Sequence, residues 1–569
     1  MKPLRDLSLK KVDSHSVVFE TSNRHELHVF VLEHDVVRVL LKRDGKLKMP
    51  RTWAIEWERE VPVEGRDRID VSGFARPAFS HSQNGDEFVI KTEKLEIRID
   101  LKKARFEWWT QGLPVLSERA TGSIYLSKHS EKIEHYFAMT QSCEMYGLGE
   151  ASGDLARKGS RTQFKNIDAM GYDAEKTDPL YKHFPFLIHR DRQVALGIFY
   201  DSFATTTVDC GQEIDNYHGP YFSYRAESGD LDYYIILGPE IREVTKKFTR
   251  LTGRPMMPPK WSLSYSGSTM TYTDAPNAQD ALMGFLDKLR EHKLPCSSFH
   301  LSSGYTSIGK KRYVFNWNRD KIPDPKNLVQ SFKEAGLRFI PNIKPVLLQD
   351  HPLYDEAKAL FVRDSESDQP ELSQFWDGMG SHLDFTNPKA FDWWKTKIKE
   401  TLVSQGIDSV WNDNNEYEIW DDEARCHGFG SEWPIKQGRP IQTLLMAMAS
   451  RQALLESNPT QRPFVVSRSG MPGLQRYNQT WSGDNFTAWK TLRFNLYMAL
   501  NLGLSGVGNS GHDIGGFSGP RPSPELFLRW IQHGIFYPRF VIHSWKAEGV
   551  NEPWMYPEIV PQIRKLFEL

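Results

Sequence analysis

The chain has 569 residues, too many for one hydrophobic core, so two or more domains are expected. Lys and Arg number 72 against 73 Asp and Glu, a net charge of -1, which excludes the broad basic field that nucleic acids and anionic membranes select. A hydrophobic share of 39% with 12% aromatic residues supplies enough apolar area to exclude disorder.

The N-terminal stretch "MKPLRDLSLKKVDSHSVVFE" has no continuous apolar region and reads as no secretory signal. No run reaches the roughly 18–20 apolar residues of a membrane helix. Cys143, Cys210, Cys296 and Cys426 lie far apart without CxxC or zinc-finger spacing, so they are expected as free thiols in a reducing compartment, the cytoplasm.

Up to about residue 250, short runs such as "HELHVFVLEHDVVRVLL" and "EFVIKTEKLEIRIDL" alternate with period two between Gly, Asn and Asp turns. This pattern predicts an antiparallel β-sandwich over residues 1–254. A Pro-rich hinge (Pro255, Pro258, Pro259) then opens a second domain, 255–569. There, strands are predicted at 261–266, 297–305, 337–345, 407–413, 463–469, 479–485, 505–511 and 539–544. Helical patterns such as "NAQDALMGFLDKLREHK" and "PKAFDWWKTKIKETLVSQG" fall between several of them. That alternation predicts an α/β fold, a (β/α)8 TIM barrel. A doubly wound open sheet is the alternative, but no Gly-rich dinucleotide fingerprint favours it. The sequence ends at "RKLFEL", where an eighth barrel helix is expected to be running, so the barrel reads as truncated in its last helix.

Barrel enzymes carry their reactive groups at the carboxyl ends of the strands. "SVWNDNNEYEIWDDEA" places Asp413 at the end of the fourth strand, "TWSGDN" places Asp484 at the end of the sixth, and "SGHDIGGF" places Asp513 after the seventh. Acids after strands are common helix caps. Two carboxylates on converging loops with Trp411 and Trp481 close by suit glycoside cleavage better, one as nucleophile and one as acid/base. His512, Asp513, His533 and His543 lack the spacing of a metal site, and "DNNEYEIWDDE" lacks the glycine of a calcium loop, so no metal and no cofactor is expected.

"WNDNNE", "RSGMPGLQRYNQTWSGDN" and "GHDIGGFSGPRPSPELFLRWIQHGIFYPRFVIHSW", in that order, resemble the barrel motifs of glycoside hydrolase family 31, which holds retaining α-glucosidases and α-xylosidases. "YGLGE" and "YKHFPFLIHRD" resemble stretches of its N-terminal sandwich. The resemblance implies Asp413 as nucleophile and Asp484 as general acid/base. It implies Arg468 as a contact to the sugar and the nucleophile's surroundings, with Trp411, Trp481, Asp513, Phe517 and His543 lining the subsite of the cleaved sugar. Glu416 closes the nucleophile motif and is expected to organise its loop, while Glu418, Asp421, Asp422 and Glu423 continue it as a solvated stretch.

Two departures touch specificity. Where family α-glucosidases generally carry an acidic segment after the second strand, this chain has "HLSSGY", with Ser302, Ser303 and Gly304; the motif's methionine is replaced by Asn414. Downstream, "SIGKKRYVFNW" offers Arg312, either a solvated basic turn or a reader of an acid-bearing sugar, since guanidinium pairs well with sulfonate or carboxylate. The family's sulfoquinovosidases use a Gln, an Arg and a Trp in this region; Phe315 stands in the Trp position and no Gln matches.

The reading is therefore a retaining exo-acting α-glycosidase, α-glucosidase-like, acting on an oligosaccharide or glycoside without nucleic acid or membrane partners. Alternatives are α-xylosidase, α-galactosidase or sulfoquinovosidase specificity, or transglycosylation. A non-catalytic carbohydrate-binding protein is the reading from another class, and loss of either acid would be its signature.

Overall fold

The computed structural model describes residues 1–545 and 549–569. It divides into two compact units. One comprises Met1–Lys165, His183–Arg254 and Leu500–Gly506; the other comprises Asn166–Lys182, Pro255–Ala499 and Val507–Leu569. The expected boundary at 254/255 therefore carries two exchanges, the larger being segment 166–182, which belongs to the barrel unit.

The first unit holds antiparallel sheets of eight, six and five strands. Its five-stranded sheet shows the predicted alternation, as in Glu96–Asp100, where only Ile97 and Ile99 are buried. Strand Leu231–Gly238 of the eight-stranded sheet is buried throughout, as a layer covered on both faces must be. The eight- and six-stranded sheets face each other across an aromatic core. There His135 meets the rings of Tyr200 and Tyr233, and Tyr200 stacks on Tyr224 with centroids 3.6 Å apart.

The second unit contains a closed parallel barrel. Its strands are β1 (Ser266–Ser268), β2 (Ser298–Leu301), β3 (Arg338–Ile343), β4 (Ser409–Asn412), β5 (Phe464–Ser467), β6 (Gln479–Trp481), β7 (Ser510–Asp513) and β8 (Arg539–Ile542). β1 pairs with β8, closing the barrel. The main intervening helices are α1 (Ala278–His292), α2 (Pro325–Glu334), α3 (Pro388–Thr401), α4 (Arg439–Ser457), α5 (Trp489–Leu504) and α6 (Pro524–Gly534), and α7 (Val560–Glu568) follows β8. α2, α3 and α6 each begin with a capping side chain before proline: Asp324, Asn387 and Ser523 accept from backbone N–H groups of the first turn. Proline at the first helical position wastes no hydrogen bond there.

Two strands start later than expected, and two others, β2 and β6, end four residues early, at Leu301 and Trp481. Residues 260–263 form a 3-10 turn rather than the first strand, because Pro259 sets an extended entry and its carbonyl accepts from both the backbone N and Oγ of Ser262. Leu263 is consequently exposed, and the apparent alternation of "WSLSYS" had no sheet to match. β7 begins at Ser510, after a turn in which Ser505 and Gly506 close the end of α5. Asp513 is thus the strand's last residue rather than a residue beyond it.

Candidate active site

Asp413 follows β4 directly. The end of that strand is anchored from behind: Trp394 Nε1 on α3 donates to Ser450 Oγ on α4 (2.9 Å), which donates to Asn412 Oδ1 (3.1 Å). Arg468 follows β5 directly, and Asp484 lies three residues beyond β6. Asn415 stitches the β4 and β5 loops, donating to Ser467 Oγ at 2.9 Å and accepting from the Ser469 backbone at 3.0 Å.

The buried Arg468 guanidinium organises four carboxyl groups. It donates bidentately to Glu416 (2.8 and 2.8 Å) and once to Asp168 (2.9 Å), and its Nη1 reaches Asp484 Oδ2 at 3.3 Å. Its Nε lies 3.4 Å from Asp413 Oδ1, and its charge rests over the Tyr181 ring, 4.9 Å from the centroid. Asp413 receives further support at Oδ2, from Asn342 Nδ2 at 2.8 Å and Lys344 Nζ at 3.8 Å. Its other oxygen, Oδ1, accepts no hydrogen bond among the described residues.

The two strand-end acids are driven apart. Burial works to raise the Asp413 carboxyl, but Arg468, Lys344 and the Asn342 hydrogen bond outweigh it and hold it below the usual aspartate range. Burial raises Asp484 well above that range against the pull of Arg468, and the negative charges of Asp168, Asp413 and Asp513 add to the rise. Glu416 is pushed up to about 7 by burial, against Arg468. Arg468 and Lys344 are two cations among four acids (Asp413, Asp484, Asp168 and Glu416), so the cluster retains a proton, and Asp484 is the group driven furthest towards holding it.

A cavity of about 260 Å³ opens onto this cluster. Trp411, Asp413, Arg468, Asp484, Phe517, His543 and Arg312 line it. His543 is held neutral, its pKa pushed down to about 3 by burial and by Arg539. Ser268 Oγ commits its proton to the His300 carbonyl (3.0 Å), so His543 Nδ1 donates to Ser268 (2.7 Å) and Nε2 keeps a lone pair for a hydroxyl.

Three expected subsite residues do not line the cavity. Trp481 is core: it packs against Trp411, Ile340, Phe464 and Val466, with the two indoles edge to face at 5.6 Å. Asp513 is sealed with Arg539 in a pair at 3.0 Å, both side chains 0% exposed, and burial lifts its carboxyl to about 6. Gly304 sits in a 3-10 turn (Ser303–Thr306), where an added Cβ would fall 2.3 Å from Asp274 Oδ1; Ser302 and Ser303 line the cavity instead. Arg312 is already engaged, by Asp274 at 3.2 and 3.3 Å and by Asp377 at 3.6 Å. Phe315 packs on Trp393 and Trp394, away from the cavity.

Asp168, Met170, Asn342, Lys344, Trp376 and Asp377 also line the cavity and were not foreseen. Asp168 and Met170 lie in "NIDAMGYDAEKTDPLYKHF", within the stretch assigned to the sandwich. Its missing strand alternation and its density of Gly, Asp and Pro were the available signal. Among the described residues, no group of three His, Cys, Asp or Glu side chains is arranged to hold a metal ion.

A family model described as "Glycosyl hydrolases family 31 TIM-barrel domain" matches residues 255–569, and one described as "Glycosyl hydrolase 31 N-terminal galactose mutarotase-like domain" matches 26–209. The chain belongs to glycoside hydrolase family 31. Among curated relatives, it is 30% identical over 544 residues to "Alpha-glucosidase 2" of Bacillus thermoamyloliquefaciens, covering 94% of this chain and 65% of the relative. To human "Neutral alpha-glucosidase C" it is 29% identical over 560 residues, covering 91% and 59%. The chain thus spans less than two thirds of the length of these relatives. Its fold superposes on a Flavobacterium johnsoniae GH31 dextranase complexed with glucose, with a TM-score of 0.88 at 24% identity over 100% of this chain and 68% of that one.

Proposed function

We propose that this family 31 chain is a retaining exo-acting α-glycosidase of α-glucosidase type, releasing terminal α-linked sugars by double displacement. The observation that carries the proposal is Arg468 spanning two carboxyl groups driven in opposite directions, Asp413 down and Asp484 up. In the first step, the Asp413 carboxylate attacks the anomeric carbon while Asp484 gives its proton to the leaving oxygen. The covalent glycosyl–Asp413 ester is then hydrolysed by water that Asp484, now a base, deprotonates. Two inversions restore the α configuration. His543, Trp411 and Phe517 on the cavity wall suit one pyranose ring, with a hydroxyl acceptor beside apolar faces.

The α-glucosidase relatives favour glucose over an acid-bearing sugar, and so does the engagement of Arg312 by Asp274 and Asp377, which leaves less of its charge for a sulfonate. For location we propose the cytoplasm, on the four free cysteines; no helix among the described residues is long and apolar enough to cross a membrane. The test is a panel of 4-nitrophenyl α-glycosides (glucoside, xyloside, galactoside, sulfoquinovoside) with Asp413→Ala as control. Hydrolysis of the glucoside by wild type alone is the expected result. Equal inactivity of both proteins across the panel would overturn the proposal.

A further inference from the structure

The loop after β2 turns back as a short hairpin, Ser307–Ile308 against Lys311–Arg312, and brings Arg312 onto the wall of the cavity. Segments from two other strands close on it there. Asp274 ends a short helix after β1 (Met270–Asp274) and accepts from Arg312 Nη2 at 3.2 and 3.3 Å. Asp377, at the tip of a hairpin after β3 (Ser373–Phe375 and Gly378–His382), accepts from the Arg312 backbone N–H at 2.9 Å and stands 3.6 Å from Nη1. The neighbouring Lys311 has an acid of its own, Asp350 at 2.5 Å. One guanidinium thus faces two carboxylates, and the three groups together are negative.

The clasp depends on the backbone around it. A Cβ on Gly304 would fall 2.3 Å from Asp274 Oδ1, so the carboxylate occupies the space a side chain there would need. Arg312 Nε is a different case: it is buried and donates to nothing among the described residues. A buried N–H without an acceptor is costly, and on a cavity wall a ligand can supply the acceptor. In barrel order β2 stands four strands from β6, so the loops carrying Arg312 and Asp484 rise from opposite sides. C1 and C4 of a pyranose are likewise opposite. With C1 between Asp413 and Asp484, the C4–C6 edge comes to Ser302, Ser303 and Arg312.

We propose that Asp274 and Asp377 determine which terminal sugar this site accepts. They cancel the charge of Arg312, so that its Nε–H reads a neutral hydroxyl at the C4–C6 edge, and a sugar carrying a carboxylate or sulfonate there is rejected. The assignment deepens the α-glycosidase reading and rests on it for the placement of the sugar. A lone guanidinium on this wall would attract an acid. Beside two carboxylates it offers one hydrogen bond instead, and an acidic sugar meets net repulsion with both terminal nitrogens already taken. Asp274 acts through Arg312 rather than on the sugar itself.

The experiment measures kcat/KM for 4-nitrophenyl α-glucoside and 4-nitrophenyl α-glucuronide, which differ by a carboxylate at C6. The proteins are wild type, Asp274→Asn/Asp377→Asn, Arg312→Gln and the triple variant. Asparagine keeps the shape of each aspartate and the oxygen that accepts from the Arg312 backbone. Wild type should favour the glucoside, and the double variant should shift the glucuronide-to-glucoside ratio towards glucuronide by about 100-fold. Adding Arg312→Gln should abolish that shift, and Arg312→Gln alone should lower kcat/KM for the glucoside about ten-fold, as loss of one charge-assisted hydrogen bond does. An unchanged ratio in an active double variant overturns the inference, and so does a shift that survives Arg312→Gln. Equilibrium binding of glucuronate and glucose to Asp413→Ala, with and without the two asparagines, reads the same discrimination without turnover. There the asparagines should tighten glucuronate relative to glucose by a similar factor, and an unmoved ratio again overturns the inference. Failure of the α-glycosidase reading is separately visible, as absence of Asp413-dependent hydrolysis of any glycoside while the binding shift remains.

Discussion

Each unit buries a cluster of arginines and acids, and the two are composed differently. In the first unit, Arg38 grips Asp232 bidentately at 2.7 and 2.6 Å, and Arg68 reaches Asp232 at 2.6 Å and Asp201 at 3.1 Å. Two guanidinium groups face Asp232 and Asp201, almost fully removed from water, and buried Asp230 is a third acid acting on Arg68. In the second unit, Arg468 and Lys344 face Asp413, Asp484, Asp168 and Glu416, on a cavity. A cluster that pairs each guanidinium with a buried carboxylate holds a fold. An unmatched one forces a carboxyl to keep its proton, which is the requirement for a general acid. Charge ratio and access to a cavity, rather than burial alone, separate the cluster proposed to react from the structural one.

Asp413→Ala breaks the comparison most severely. If Asp413 is the nucleophile proposed above, the substitution should lower kcat by roughly 10⁴-fold or more, while urea denaturation shows a folded protein. Second in size is the paired experiment Arg38→Met and Arg468→Met. Each strands buried carboxylates, at a cost of about 3–5 kcal/mol near neutrality. The Arg468 variant should recover part of its loss as pH falls from 8 to 5, because its acids, led by Asp484 and Glu416, take up protons through the cavity. Equal recovery in Arg38→Met would show that the two clusters do not differ in the way their composition implies.

Much of this was readable from residues alone. Barrel strands announce themselves as short buried runs between helices, and the placement of Asp413, Arg468 and Asp484 on one cavity is legible because residues just beyond barrel strands converge there. Asp168 was not legible, since it reaches the cluster from a segment 245 residues before Asp413 that has no period of its own. Trp481 shares a core cluster with Trp411, yet only Trp411 also lines the cavity, a difference that nearness in sequence to a strand-end acid does not tell. Gly304 was read for what it lacks, whereas the space beside it is taken by Asp274 from another loop. Such occupancy belongs to the fold and leaves no mark in the local sequence.

Asp484→Asn sharpens the comparison through pH. The folded carboxyl titrates well above its ordinary value, so between about pH 4 and that raised value the folded protein binds more protons than the unfolded chain. Stability from this group is complete below about pH 4 and is lost as pH rises through the folded pKa. Asparagine stays neutral throughout. The variant should therefore match wild type near pH 4 and exceed it at pH 8, by roughly 1–2 kcal/mol, in denaturation measured across that range. The wild-type rate should be bell-shaped, with an acid limb below the usual aspartate range from Asp413 and an alkaline limb from Asp484. An active Asp484→Asn enzyme with the alkaline limb intact would assign that limb to Glu416 instead.

The smallest effect is expected at Asn414, which stands at φ 45° where the family motif has methionine. Its Oδ1 accepts from Lys344 Nζ (2.5 Å), and its Nδ2 donates to Asp168 Oδ2 (2.9 Å). The amide therefore joins the second cation of the cluster to an acid that Arg468 also holds. Asn414→Met removes both bonds and puts an unbranched side chain into a left-handed conformation that asparagine tolerates better, a cost of about 1 kcal/mol. Released from Asn414, Lys344 is free to close on Asp413 from 3.8 Å, deepening the ionisation of the nucleophile and weakening its attack. A fall in kcat of about three- to ten-fold, with the acid limb moved lower, is the expected outcome. An unmoved acid limb would show that Arg468 alone sets the charge of Asp413, and that Lys344 serves the substrate rather than the nucleophile.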